Sequence, residues 1–462
     1  MIQIGRKDIF WNYGATFLKI AASALLLPFI LRMMPAEMVG IWTVFMTITA
    51  FASLLDFGFS NSFTRNVSYV FSGVKNLKTN GFDLVDQEDS TIDYGLLKGV
   101  ITAMRWFYLR MAIILLLILA TLGTWYVYSL LQNYKGNPEE VYIAWIILCV
   151  INTYNLYTLY YDSLLQGKGL IKRSKQIVIV GQTIYLGIAA ILIINGFGLI
   201  AIVSAQASSV IIVRLLSYRS FFTHDIKQKI NDSITRHKNE VLKAITPNAL
   251  KIGLTSLGGF MIQRSATIIG SLYLSLEEIA SYGITMQLIG VIASLAAIYT
   301  ATYQPKIAQF RVMENNLGIK EIYLKGQLIL LLTYIIGGLG LLILGEWGIR
   351  LIGSQTQLMS KGLVILALIL SFEQSNLIIA GGILLSRNEV PFFKAAIVSG
   401  IFIVIGLLVI FRLFHWGLLV MIIVPLIVDI SYQTWKWPLE VKKELNIGLK
   451  DIHFAKNYIT KR

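Results

Sequence analysis

Charged side chains are scarce in this chain. Only 14% of its 462 residues are Asp, Glu, Lys or Arg, while 56% are hydrophobic and the mean hydropathy is +0.69; an ordinary soluble domain carries roughly 25% charge. That deficit excludes a soluble globular fold. Amphipathic striping is missing too, since residues 111–123 read MAIILLLILATLG, apolar on every face as a lipid-immersed helix would be. Cysteine is nearly absent. The lone Cys149 excludes an intrachain disulfide or a multi-cysteine metal site. The four histidines, His224, His237, His415 and His453, show no ligand-like spacing, so no metal centre is expected. Long polar loops are missing from one side: NGFG at 195–198 and FHWG at 414–417 leave no room for an external catalytic domain. This argues against a polymerase or acyltransferase and for a non-enzymatic protein.

What is present is a series of apolar segments long enough to cross about 30 Å at 1.5 Å per residue. Twelve are expected, at 10–33, 38–64, 106–131, 141–165, 176–195, 198–217, 246–274, 279–304, 326–352, 360–386, 391–413 and 416–437. The first is too long for a secretory signal and lacks a small-residue cleavage site. The longest clearly polar connection suggests a division into an N-terminal six-helix bundle (1–217), a basic linker (218–245), a C-terminal six-helix bundle (246–437) and a basic tail (438–462). Under this count about 30 basic residues fall on the side of the N-terminus and about five on the other, which puts both termini in the cytoplasm and supports an even number of spans. The net charge of +15 is then a topology signal and does not imply nucleic acid. Between 65 and 105, an acidic patch (Asp83, Asp86, Glu88, Asp89) precedes an amphipathic run from Leu96 to Trp106, expected as an interfacial helix.

Each half opens alike: PAEMVGIWTVF at 35–45 and SLEEIASYGIT at 275–285, about 240 residues apart. Two six-helix halves of this kind would be parallel repeats about an axis along the membrane normal.

The opening FWNYGATFLKIAASALLLPFILRMMPAEMVGIWTVF, followed by LLDFGFSNSFTRNVS, resembles the start of polysaccharide and O-antigen flippases of the multidrug/oligosaccharidyl-lipid/polysaccharide exporter superfamily. LLQGKGLIKRSKQIVIVGQ and LLSRNEVPFFKAAIVSG resemble short basic turns between paired helices there. The resemblance rests on pattern, length and helix count, and no fragment is a catalytic motif. It implies two six-helix bundles around a central cavity, in a bacterial inner membrane. The implied work is alternating-access transfer of undecaprenyl-diphosphate-linked oligosaccharide between leaflets, alongside membrane lipids, a polysaccharide polymerase and other glycan assembly proteins. The fourteen-helix lipid II flippases of the same superfamily fit less well. A cation-coupled multidrug antiporter of that superfamily, or a non-transporting scaffold for glycan assembly, are the alternatives.

Ionisable groups inside spans are costly and so mark function. Lys19 in the first span and Arg264 in the seventh are expected to meet a diphosphate headgroup, with Lys251 and Arg110 nearer the inner interface. The alternative is that each cation is paired or snorkels. Glu373 and Asp429 sit among aliphatic residues and are expected either to couple H+ or Na+, the only small species implied, or to neutralise Arg264 or Lys251. Asp56 and Asp162, near span ends, are expected to be structural, satisfied by water or an arginine such as Arg65. Pro28 and Pro425 are candidate hinges. The tyrosines of NTYNLYTLYYDSLL (152–165) could stack on sugar rings or form an interfacial belt.

Overall fold

In lipid every backbone N–H and C=O must be satisfied within the segment, and an apolar chain does this as helices. The computed structural model describes residues 6–75, 77, 91–234, 238–387, 391–414 and 416–448, and among these the regular structure is helical throughout. The order is α1 (Arg6–Met33), α2 (Ala36–Leu54), α3 (Phe59–Phe71), α4 (Tyr94–Ile118), α5 (Thr124–Leu130), α6 (Pro138–Tyr157), α7 (Tyr160–Gly167), α8 (Ile171–Ile194) and α9 (Gly198–Phe221). It continues with α10 (His224–Asp232), α11 (Lys238–Gly270), α12 (Leu276–Val312), α13 (Asn316–Ile352), α14 (Lys361–Leu385), α15 (Phe393–Leu413), α16 (Leu418–Ser431) and α17 (Gln433–Glu444). Ten stretches of described helix are long and apolar enough to cross a membrane. With the 28 residues of α1 and the 33 of α11 the fold holds about twelve membrane helices. Outward-facing aliphatics such as Ile336 and Ile343, each 71% exposed, mark a surface made for lipid.

Local sequence sets where helices begin and break. Asp93 caps α4 by accepting the Leu96 N–H at 2.8 Å, and Asn315 caps α13 by accepting the Gly318 N–H at 2.9 Å. Ser275 and Glu278 form a reciprocal capping box at the start of α12, with Ser275 N–H donating to Glu278 Oε2 (3.0 Å) and Glu278 N–H to Ser275 Oγ (3.2 Å). Three expected spans are each two helices. The second breaks at Phe57 and Gly58, both at positive φ (47° and 69°), and the fourth at Thr158–Leu159. The twelfth breaks at Tyr432, whose φ of −146° and ψ of −55° leave the helical region. A π turn at Leu119–Gly123 joins α4 to α5. There Gly123 is required, because a Cβ would lie 2.7 Å from the Trp145 ring. The run Leu96–Trp106 is not a separate interfacial helix. It is the first turns of α4, held to the body by buried Leu97, Val100 and Met104. The acidic patch at 83–89 lies outside the described residues. Pro28 leaves α1 continuous, and Pro425 sits within α16.

The chain forms two compact units, Met1–Met34 with Phe45–Leu257, and Pro35–Val44 with Gly258–Arg462. The segment expected as a linker is largely helical, containing the end of α9, all of α10 and the start of α11. In the first unit α1 packs on α8, α8 on α9, α3 on α7 and α4 on α6. The second is built on α12, α13 and α14, whose core includes Ile319, Leu330, Ile383 and, from α17, Trp437 and Val441.

Within the second unit the two repeat motifs meet. A Cβ on Gly40 would fall 2.1 Å from the Leu276 carbonyl oxygen, and one on Gly283 would fall 2.3 Å from Thr43 Oγ1. Thr43 and Gly283 stand at equivalent positions of the motifs PAEMVGIWTVF and SLEEIASYGIT. A contact between equivalent positions is what a two-fold repeat produces at its axis.

Candidate functional site

In the second unit, polar side chains converge on the middle of the membrane helices. Glu373, Gln374, Ser371, Ser375 and Asn376 all come from one stretch of α14, where SFEQSN interrupts an otherwise aliphatic helix. Most have partners. Tyr334 OH from α13 lies 2.7 Å from Ser371 Oγ and 2.8 Å from Ser375 Oγ, while Gln327 Nε2 donates to Asn376 Oδ1 at 2.8 Å. Gln374 Nε2 donates to Asp429 Oδ2 at 3.3 Å. Asp429 itself is 2% exposed, and its Oδ1 is buried without a hydrogen-bond partner. Glu373 is partly buried on the same helix. Among the described residues neither carboxylate forms an ion pair with Arg264, so the expected neutralisation of Glu373 and Asp429 by that arginine is not seen. An unpaired carboxylate held out of water is a group poised to take a proton or a cation.

The first unit carries its charges differently. Arg214 of α9, 5% exposed, binds Asp162 through Nη1 at 2.6 Å and Asn155 Oδ1 through Nη2 at 2.6 Å. Asp56, at the α2–α3 break, accepts the Tyr108 hydroxyl at 2.6 Å and the Ser60 N–H at 3.0 Å. Asp56 and Asp162 thus have partners, though the arginine is Arg214 rather than Arg65. The tyrosine face turns largely into protein: Tyr160 is 1% exposed, and Tyr161 packs against Tyr160, Tyr218 and Phe222 with ring centroids 4.5 to 6.3 Å apart.

Of the expected substrate cations, two have described side chains. Arg264 is exposed on α11. Arg110 is also exposed, its guanidinium 3.9 Å from the centroid of the Trp106 ring. The side chains of Lys19 and Lys251 lie outside the described residues. Arg214, which the sequence reading passed over, is the most deeply buried cation described. A basic residue a few positions from the end of a span reads as a snorkelling arginine, and nothing local marks its partner 52 residues away. Among the described residues no cluster of three His, Cys, Asp or Glu could hold a metal ion. A cavity of about 340 Å³ at one end of the first unit is lined by Phe71, Ser72, Ile92, Tyr94, Lys168, Asp225 and Ile226. Burial pushes the Lys168 amine below the usual lysine range, and the nearby Asp225 carboxylate opposes the shift.

Neither a protein-family model nor a curated protein matches the sequence. Solved structures do share its fold. One is an inward-facing multidrug resistance MATE-family transporter of the MOP superfamily, with a TM-score of 0.62 at 16% identity over 92% of this chain and 95% of that one. A second is the lipid II flippase MurJ in an inward closed conformation, with a TM-score of 0.60 at 12% identity over 98% and 93% of the two chains. A third is a MOP superfamily transporter from Pyrococcus furiosus, described as having a binding pocket of reverse polarity that suggests a different function. It aligns with a TM-score of 0.54 at 16% identity over 96% of each chain. At such identities the likeness establishes the fold. This is a multi-pass membrane protein whose fold is the one these solved structures share. The lipid II flippase, set apart above on helix count, aligns over nearly the whole chain.

Proposed function

We propose that the protein is a flippase that moves a lipid-linked oligosaccharide on a diphosphate carrier, such as an undecaprenyl-linked O-antigen or capsule repeat unit, from the inner to the outer leaflet of a bacterial inner membrane. Both termini are then cytoplasmic, and the mechanism is alternating access between two six-helix halves. The observation that carries this reading is that a cation, Arg264, is left unpaired on a membrane helix while the carboxylates of the first unit are taken. In the first unit Asp56 and Asp162 are occupied by Tyr108 and Arg214. Arg264 makes no hydrogen bond or ion pair among the described residues and stays exposed. A diphosphate is held by cations such as Arg264, Lys19, Lys251 and Arg110, whereas the first unit's carboxylates, which an organic cation would need, are already bound. Glu373 and Asp429 serve on this reading as coupling sites for H+ or Na+.

One observation favours a second reading, a cation-coupled multidrug antiporter: the unpaired Glu373 and Asp429 belong to a fold shared with MATE multidrug transporters. The test is complementation of a flippase-deficient bacterium carrying the matching glycan pathway, comparing the native chain with Lys19→Ala and Arg264→Ala at equal membrane abundance. Rescue by the native chain and its loss in both variants supports the flippase. Failure of the native chain while substrate accumulates inside the cell points to the antiporter. Full activity in the variants retains flipping and removes Lys19 and Arg264 from the site.

A further inference from the structure

Beyond Asp429, the second unit contains buried polar atoms that the ion-coupling reading does not use. Asp429 Oδ1, Gln433 Nε2 and Trp437 Nε1 are each buried without a hydrogen-bond partner, as is Arg311 Nη2. The three residues of α16–α17 are 2%, 2% and 4% exposed; Gln433 and Trp437, four apart on α17, lie on one face of it about 6 Å apart, and Asp429 stands at the end of α16 just before the break that precedes them. A lone orphan of this kind costs stability, and most native proteins avoid it. Four of the five buried unpartnered side chains described in this unit fall on or beside a single stripe, so the arrangement is organised.

The backbone along the stripe is open in the same places. The break at Tyr432 leaves its N–H reaching the Asp429 carbonyl at only 3.4 Å. Pro438 has no N–H to give the Thr434 carbonyl four residues earlier. The stripe ends in a charged cluster where Glu444 binds Arg311 (2.5 Å) and Arg387, and where Glu440 lies 3.6 Å from Arg387 and 3.7 Å from Lys436. The far end is thus polar and partly exposed, and the near end is a carboxylate in the middle of the unit.

We infer that this stripe is a water-lined path by which the Asp429 carboxylate exchanges protons with the membrane face that carries Arg311, Glu440 and Glu444. The inference rests on the reading of Asp429 as a coupling residue and adds the route and the ion. Water fits the chemistry of the lining because it accepts from the Trp437 and Arg311 N–H groups while donating to Asp429 Oδ1. A dehydrated sodium ion needs several oxygen ligands, which a lining of N–H donors does not offer, whereas a chain of waters passes a proton without ligands from the protein; the path therefore suits the proton. Each transfer moves one proton from the aqueous face to the carboxylate and back, with no other bond changed. The other titratable groups on the elements packed against this stripe are Lys361 and Glu373 on α14, Lys394 and Arg412 on α15, and Lys442 and Lys443 on α17.

The test uses the full chain in membrane vesicles of each orientation, with inner and outer pH buffered separately. Protonated Asp429 is read by its labelling with dicyclohexylcarbodiimide, quantified by mass spectrometry of the peptide that carries it. Native labelling is expected to follow the pH of the Glu444 face alone. In Trp437→Phe and Gln433→Met, each with an unchanged melting temperature, the response to a pH step on that face should slow about tenfold, the scale of one lost buried hydrogen bond. Labelling that follows the opposite face, or variants as fast as the native chain, overturns the path while leaving Asp429 as a coupling site. Labelling indifferent to pH on both faces overturns the path and the coupling role together.

Discussion

The two units bury carboxylates in opposite ways. In the first, Asp162 meets a guanidinium already held by Asn155, and Asp56 meets a tyrosine hydroxyl and a backbone N–H at a helix break. In the second, Asp429 keeps one oxygen without a partner and Glu373 has no described ion pair. Asp56 and Asp162 are compensated by partners and Asp429 and Glu373 are not; the second unit pairs its carboxylates at the end of α17, where Glu444 meets Arg311 and Arg387. Removing a partner of Asp56 or Asp162 exposes the full cost of a buried charge, whereas removing the Asp429 charge relieves a cost the fold already bears. The comparison therefore separates carboxylates held in a structural network from carboxylates that are not.

The largest expected effect comes from breaking the first network. Arg214→Met leaves Asp162 facing an apolar neighbour, and a stability loss of about 3 kcal/mol is expected, at the low end for a buried pair because Asp162 keeps 27% of its side chain exposed. Denaturant or thermal unfolding in detergent measures it. The double variant Arg214→Met with Asp162→Leu should recover part of the loss, and a double variant as unstable as the single one would show that packing, not charge, was removed. A smaller effect is expected from Tyr108→Phe, which deletes the 2.6 Å hydrogen bond to Asp56 and keeps the ring stacked near Tyr160. About 1.5–3 kcal/mol is the range for a hydrogen bond to a charged group. A change below about 0.5 kcal/mol would mean that water replaces the hydroxyl.

How far the sequence disclosed this depends on the scale of each feature. Helix count and membrane placement follow from runs of some 20 apolar residues, a signal long enough to survive local exceptions. The breaks were less visible. At Phe57–Gly58 the sequence LLDFGFS offers one glycine, and at Tyr432 the run PLIVDISYQ contains no breaker at the break itself; both are fixed by tertiary packing and by caps such as Asp56. Glu373 and Asp429 could be singled out because a carboxylate among aliphatics is rare. Their freedom from partners could not, since an ion pair between helices leaves no mark on spacing, as Arg214 and Asp162 show. Nothing in the sequence marks Trp437 and Gln433, which the fold buries. The run Leu96–Trp106 misled because an amphipathic segment next to a span can lie in the interface or, as here, extend the helix onto its own unit.

The smallest effect on stability should come from the residue with the greatest expected effect on coupling. Asp429→Asn keeps the side-chain shape, and the new amide can still accept from Gln374 Nε2 through its oxygen, so stability should stay within about 1 kcal/mol of native or rise. Coupling should nevertheless be lost, because an amide at position 429 cannot change its charge. Substrate movement driven by an imposed proton gradient, measured in proteoliposomes, is expected to fall to the level seen without a gradient, while exchange at zero gradient persists. Glu373→Gln provides the internal contrast on the neighbouring helix: partly exposed and lacking the buried stripe beyond it, it should weaken coupling less. If Asp429→Asn instead destabilises the protein as much as Arg214→Met, Asp429 belongs with the structural carboxylates and the distinction between the two units falls.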